Sequence, residues 1–305
     1  YLCAAGVTFM LLVSMNRGLR LNNWFVNNKI NEPNLINYLD LVSLGTVCDV
    51  VPLIGLNRAI VKQGLKILKE KQNLGLKTLL DICKIETTPS IYHLGFMLGP
   101  RINAGGRVGK CSHGAKLLLN TDPKNAFKLA SELDQFNKER QMLEKDLLQK
   151  LLNETKDYSK DPVIVLSGSN WQGGVIGIVA ARLKDKFNKP LIIISIEGQI
   201  GKGSARSIVG FDIGSVIIAA TQDKILLKGG GHKMAGGFWI NIKNIEKFRE
   251  FVFRKFKNIN EDITVEKTLY LDSILSPTAI NLDFYNKINN LAPFGSGNPE
   301  PKFTV

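Results

Sequence analysis

Histidine is scarce in this 305-residue chain, with His93, His113 and His232 the three present. The four cysteines, Cys3, Cys48, Cys83 and Cys111, make no C-x-x-C pair, and three sit in apolar surroundings. Neither a zinc site nor a disulfide framework is expected from them, and a reducing cytoplasm fits best. No Gly-Lys-Ser or Gly-Lys-Thr follows a glycine run, which argues against a nucleoside-triphosphate P-loop. Long apolar runs are missing as well. The stretch Leu2 to Val13 is apolar for about a dozen residues, too short for a membrane span and without the basic leader or cleavage signal of a secretory peptide. It reads as a buried helix. Because the chain opens on Tyr1 inside that helix and stops as a strand begins at Lys302-Phe303-Thr304-Val305, a segment of something longer is expected.

Acidic residues are also short in supply, 27 against 40 lysines and arginines, for a net charge of +13. That balance favours a polyanionic partner, nucleic acid or an anionic membrane surface. Hydrophobic content of 44% with 22% charged residues is ordinary for a globular protein, and the length allows two domains.

Along the chain, helical spacing predicts a helix over 2–20, then an asparagine-rich linker to about Asn34. Leu35 to Thr46 is helical in pattern and runs into Val47-Cys48-Asp49-Val50-Val51-Pro52-Leu53, where one carboxylate lies in an apolar run. Burying Asp49 unpaired would cost several kcal/mol, so it needs a cation, backbone N–H donors or a metal, unless it caps a helix or turn. Packing helices are expected over Asn57–Leu68 and Leu76–Cys83. Leu98 to Gly109 reads as a small-residue loop carrying Arg101, Asn103 and Arg107, in which the arginine forks suit phosphate oxygens or else form an exposed basic turn. Asp122 to Leu152 has the charge pattern of a long helix linking two bodies.

The second half alternates strands and helices. Asp161–Ser167 is a strand, Gly174–Lys186 a helix entered through Trp171-Gln172-Gly173-Gly174, and Lys189–Ser195 another strand, which makes the fold class α/β. Helix N–H groups after such a glycine turn can meet an anion. Lys202-Gly203-Ser204-Ala205-Arg206-Ser207 then offers hydroxyls and a guanidinium in one short strand. Helices are expected over Ile213–Ala220 and Asn244–Lys257. Between them Gly229-Gly230-Gly231-His232-Lys233-Met234-Ala235-Gly236-Gly237-Phe238 is shaped for close backbone approach, with His232 as a hydrogen-bond donor and Lys233 as charge. A glycine-rich hairpin capped by His232 is the alternative. Leu291 to Pro301 is a stiff Pro/Gly connector.

In this order, Ser43 to Leu53, Gly99 to Arg107, Trp171 to Ile178, Gly203 to Ser207, Gly230 to Gly237 and the terminal Pro-Phe-Gly-x-Gly-Asn-Pro-Glu-Pro closely resemble the RecJ-type exonucleases of the DHH phosphoesterase superfamily. The resemblance implies the C-terminal part of a DHH domain over 1–121, a connecting helix and linker over 122–160, and a smaller mixed-sheet DHHA1 domain over 161–260. A connector and the start of an oligonucleotide-binding domain would follow over 261–305. It implies 5′-to-3′ hydrolysis of single-stranded DNA in repair and recombination, with two Mn²⁺ or Mg²⁺ ions, Asp49 as metal ligand and catalytic residue, and no membrane partner. Arg101, Asn103, Arg107, Ser204, Arg206, Ser207, Gly230, Gly231, His232 and Lys233 would hold substrate phosphates. A single-strand-binding protein and a helicase are candidate further partners.

The chain departs from that pattern in two places. It has no Asp-His-His, so the segment by itself is expected to be inactive, and Gln172 stands where the family commonly has histidine. A phosphodiesterase of short oligonucleotides or cyclic dinucleotides, and a non-catalytic single-strand-binding protein, are the alternatives.

Overall fold

The computed structural model describes residues 2–153, 161–258 and 269–305. The rest of the expected linker and the start of the expected connector lie outside the described residues. The chain divides into two compact units, one of Tyr1–Gly105, Lys110–Asn137 and Thr268–Val305, the other of Gly106–Gly109 and Lys138–Lys267.

The first unit is helical, with α1 (Ala4–Leu21), α2 (Trp24–Asn27), α3 (Leu39–Cys48), α4 (Gly55–Lys69) and α5 (Leu74–Ile82) leading to a π-helical stretch at His93–Leu98. This stretch runs directly into α6 (Gly99–Val108), followed by α7 (His113–Leu118). The long α8 (Pro123–Asn153) is capped by Asp122, whose carboxylate accepts from the Lys124 and Asn125 N–H groups at 3.3 and 3.1 Å. Its leucines, Leu129 and Leu133, close a core with Leu68, Leu76, Leu79, Leu94, Leu98 and Leu117. The chain after Leu269 belongs to the same unit: Leu53 N–H donates to Ser296 O at 2.6 Å, and Arg58 Nη2 donates to Leu291 O at 2.6 Å.

Two expectations are corrected here. Helix α1 is not buried. It buries Gly6 and Asn16, while Val7, Leu11 and Met15, four residues apart and so on one face, are exposed. Even so, among the described residues no helix is long and apolar enough to cross a membrane. The Gly99–Gly109 stretch is helix rather than loop. Its small residues serve packing: a Cβ at Gly99 would lie 2.3 Å from Cys48 Sγ, and one at Gly105 2.7 Å from Lys110 O. Pro100 lies inside this continuous helical run, two residues past the π-helical stretch, and has no N–H to donate to the preceding turn.

The second unit is a mixed α/β layer structure, as the alternation of strands and helices implies. In chain order it contains β1 (Ile164–Ser169), α9 (Ile176–Phe187), β2 (Leu191–Glu197), β3 (Ile200–Arg206), α10 (Ile213–Gln222), β4 (Lys228–His232), β5 (Ala235–Asn241) and α11 (Ile245–Lys257). The sheet order is β1-β2-β3-β5-β4, with β1 parallel to β2 and the other pairs antiparallel. The chain closes with a small parallel pair in the first unit, β6 (Ser273–Ile274) and β7 (Phe303–Thr304), flanking α12 (Leu282–Asn289).

Period-2 alternation assigns the two faces of the large sheet. On one face Val165, Ile192, Ile194, Ala205, Phe238 and Ile240 pack under Ile213, Ile217, Phe248 and Val252 of α10 and α11. On the other, Ile164, Leu191 and Ile193 pack under α9 and Leu147 and Leu151 of α8. Gly203 makes the first core possible: a Cβ there would lie 2.1 Å from the ring of Phe238, itself 2% exposed. Gly203→Ala should therefore destabilise the protein by about 1–3 kcal/mol through overpacking. Urea unfolding followed by circular dichroism measures it, and a wild-type midpoint would show that the ring has room to move.

Candidate nucleic-acid interface

The uncovered part of the second sheet face follows from the registers. In β3 it carries Lys202, Ser204 and Arg206; their partners in β5 are Trp239, Gly237 and Ala235, and those residues pair in β4 with Lys228, Gly230 and His232. The sequence Lys-Gly-Ser-Ala-Arg thus puts polar residues out and Gly201, Gly203 and Ala205 in. The Gly229–Phe238 stretch is the β4–β5 hairpin, turning at Lys233 and Met234. His232 and Lys233 are exposed at its tip, Gly230 is exposed and Gly231 half-buried. Lys233 O accepts the Ile213 N–H at 3.2 Å, which ties the turn to the start of α10.

At the edge nearest α9 the cations converge. Arg206 Nη1 donates to Ser204 Oγ at 3.2 Å and to Ala205 O at 2.8 Å, and both side chains lie against Gly177 in the first turn of α9. A Cβ at Gly177 would sit 2.9 Å from Ser204 Oγ and 3.0 Å from Arg206 Nη2, so this close approach needs glycine. Arg107 Nη1 donates to Gly174 O at 2.9 Å, where a Cβ at Gly174 would in turn lie 2.5 Å from Arg107 O.

Burial, and then the Arg107 charge, hold the Arg206 guanidinium below its usual pKa. Arg140 is shifted the same way, first by burial and then by Arg107 and Arg182, against the opposing pull of Glu144. Glu144 is buried and already takes Arg140 at 2.6 Å and Arg182 at 2.5 Å. Among the described residues neither Arg107 nor Arg206 has a carboxylate partner. Helix α9 begins with no side-chain cap and no acid in its first turn; Ile176 and Ile178 N–H donate to Gln172 O and Val175 O, so it is the helix dipole that adds to the positive field. Two like charges, a hydroxyl and a helix N-terminus are the chemistry that an anion would meet favourably.

The remaining candidate residues fall elsewhere. Ser207 is 1% exposed and its hydroxyl donates to Phe211 O at 2.6 Å, which fixes the turn after β3. Arg101, in the first unit, is paired with Asp134 at 2.8 Å and donates to Met97 O at 2.9 Å. Asn103 is exposed on α6. Six positions apart on a helix, Arg101 and Arg107 point about 120° from one another.

Asp49 is exposed, not buried in its apolar run, because it caps the C-terminus of α3, where Val50 turns into the left-handed region at φ 55°. The buried carboxylate of this stretch is Asp40, 2% exposed, whose pKa burial raises. Next to Asp49, burial pushes the Cys48 thiol up to about 11. Among the described residues no group of three or more His, Cys, Asp or Glu side chains could hold a metal ion. The Asp49 stretch therefore offers one exposed carboxylate, and the described residues do not by themselves fit a two-metal site. His93 and His113 have local partners, Ser90 N–H at 2.9 Å and Glu132 at 2.9 Å. Lys202, Lys228 and Trp239 were not singled out by motif, though the alternation of Lys202, Ser204 and Arg206 already places Lys202 on the open face.

Residues 144–258 match the DHHA1 domain family and residues 271–305 the RecJ OB domain family. The chain is 34% identical to the single-stranded-DNA-specific exonuclease RecJ of Dickeya dadantii and 33% identical to that of Escherichia coli, over 99% of its own length and 54% of theirs. It thus spans about half the length of these curated relatives. The crystal structure of Thermus thermophilus RecJ in complex with Mg²⁺ superposes with a TM-score of 0.79 at 30% identity, covering 91% of this chain and 42% of that one. A manganese-bound exonuclease RecJ gives 0.66 at 32% identity, covering 83% of this chain and 60% of the other.

The geometry separates the two serines. Ser207→Ala should lower stability by about 1 kcal/mol with single-strand affinity unchanged, since its hydrogen bond is internal. Ser204→Ala should do the reverse. Unfolding curves and fluorescence anisotropy on the same samples check this, and equal behaviour of the two variants would overturn the assignment.

Proposed function

We propose that the chain, 34% and 33% identical over 99% of its length to two single-stranded-DNA-specific exonucleases RecJ, is part of such an enzyme and grips the sugar–phosphate backbone of one DNA strand for metal-dependent hydrolysis from the 5′ end. The observation that carries this reading is that Arg107 and Arg206 meet the start of α9 at neighbouring points, Arg107 on Gly174 O and Arg206 against Gly177, with no carboxylate partner among the described residues. A phosphate oxygen on Arg206, Ser204 Oγ and the first turn of α9 supplies the missing negative charge. His232, Lys233, Gly230 and Gly231 extend phosphate contacts along the hairpin. Arg101 and Ser207 serve the fold instead, on the strength of their internal partners.

In this reading residues 1–121 are the later part of a DHH catalytic domain, 122–160 the connecting helix and linker, and 161–260 the DHHA1 domain. Residues 261–305 lead into an oligonucleotide-binding domain. Asp49 contributes one ligand to a Mn²⁺ or Mg²⁺ site whose other ligands are not among the described residues, so no step of hydrolysis is assigned to this chain's side chains. A single-strand-binding protein and a helicase are partners consistent with the role, and the cytoplasm is its compartment.

Phosphate contacts position a strand without reading its sequence, so Arg206→Ala should weaken binding of oligothymidine and oligodeoxyadenosine alike. The plot of log affinity against log salt should also become shallower by about 0.7, the value of one lost contact on a single strand. Fluorescence anisotropy over a salt series measures both. Wild-type affinity and slope would contradict the phosphate role.

A further inference from the structure

Six glycines of β3, β4 and β5 fall into two groups, 203, 229, 231 and 236 on the core face and 230 and 237 on the open face. Those at 203, 229, 231 and 236 are required by packing: a Cβ would meet Phe238 at 2.1 Å, Ile217 at 2.6 Å, Ala235 O at 2.5 Å and Ile217 at 2.4 Å, respectively. Gly230 and Gly237 are not. A Cβ at Gly230 would meet nothing within 4 Å, and one at Gly237 only Gly203 O at 3.8 Å. Neither has a positive φ. Glycine inside a strand weakens it, and when neither packing nor backbone conformation asks for it, close approach of a ligand is the remaining reason.

These two glycines and Ala235 form a bare strip. One side is flanked by Lys202, Ser204 and Arg206, the other by Lys228 and His232. The strip ends at Trp239, which is 39% exposed although it is a large aromatic on a sheet. Trp239 lies directly opposite Lys202 in β3 and Lys228 in β4, and both ammonium groups stand over its ring, at 5.7 and 4.7 Å from the centroid. Lys202 also reaches back to within 3.7 Å of a Cβ placed at Gly173.

Resting on the proposed function, we infer that Trp239 is a nucleobase-stacking platform, with Lys202 and Lys228 holding the phosphates on either side of the stacked base. The strand runs along the bare strip from Arg206 and His232 to Trp239. An aromatic face between two cations matches the alternation of base and phosphate in a single strand, and stacking tolerates any base because every base has a π-face. A purely basic surface would need no indole, and an apolar docking site would not place an ammonium group on each side of it.

The test uses this chain with a labelled oligothymidine and an abasic oligomer of the same length and charge. Trp239→Ala should lower affinity for oligothymidine roughly 5- to 150-fold, the range of one lost base–aromatic stack. Affinity for the abasic strand should be unchanged, and Trp239→Phe should restore most of the loss. Arg206→Ala, measured alongside, should weaken both ligands. If Trp239→Ala leaves oligothymidine binding unchanged while Arg206→Ala weakens it, the platform is wrong and the phosphate grip stands. Equal losses on the abasic strand would make Trp239 a fold residue, also against the platform. If the wild-type chain binds neither strand, the platform falls together with the proposed function. Should Trp239→Ala not fold by circular dichroism, quenching of tryptophan emission by oligothymidine decides instead: wild type should be quenched and Trp239→Phe quenched less, while equal quenching overturns the inference.

Discussion

The second unit is organised around an electrostatic arrangement that is incomplete on its own. Arg206 is half-buried against Gly177 and feels the charge of Arg107 rather than that of a carboxylate, and its pKa is depressed in consequence. The nearby acid, Glu144, is already occupied by Arg140 and Arg182. Desolvating like charges together is unfavourable unless an anion joins them. The glycines at 174 and 177, the uncapped start of α9 and the out-facing register of β3 all maintain that arrangement.

Architecture and charge serve the same end. Helix α9 covers β1 and β2 with Ile176 and Val179, and its N-terminal turn meets β3 through a glycine instead of an apolar side chain. The sheet face beyond that point therefore remains polar. It presents lysine, hydroxyl and guanidinium on β3 and a glycine-rich hairpin beside it. On the opposite face of this part of the sheet, Phe238, Ile240 and Phe248 form a packed core.

Much of this was legible in the sequence because it depends on local pattern. Lys202–Ser207 reads as one short strand bearing hydroxyls and a guanidinium, strand–helix–strand order implies the α/β class, and the glycine turn before α9 marks a helix start where N–H groups can meet an anion. What could not be read depends on contacts far apart in the chain. The Gly99–Gly109 stretch looks like a loop by composition, but its glycines are set by Cys48 and Lys110 and it is a helix. Asp49 looks buried from its neighbours, but α3 ends there and leaves it exposed, while Asp40 takes the buried position. Ser207 resembles Ser204 in sequence but lies buried just past β3, where its hydroxyl donates to Phe211 O. Trp239 reads as an ordinary strand aromatic until the registers put a lysine on either side of it.

The central claim is that Arg107 and Arg206 are brought together by one phosphate of a single strand. A double-mutant cycle tests it most directly, using the affinities of wild type, Arg107→Ala, Arg206→Ala and the double variant for one short oligothymidine. The account predicts a double loss smaller than the sum of the single losses, with a coupling of about 0.5–3 kcal/mol, since removing either arginine breaks the shared site. Losses that add to within about 0.3–0.5 kcal/mol would mean that the two side chains act on different phosphates or on none, and would contradict it.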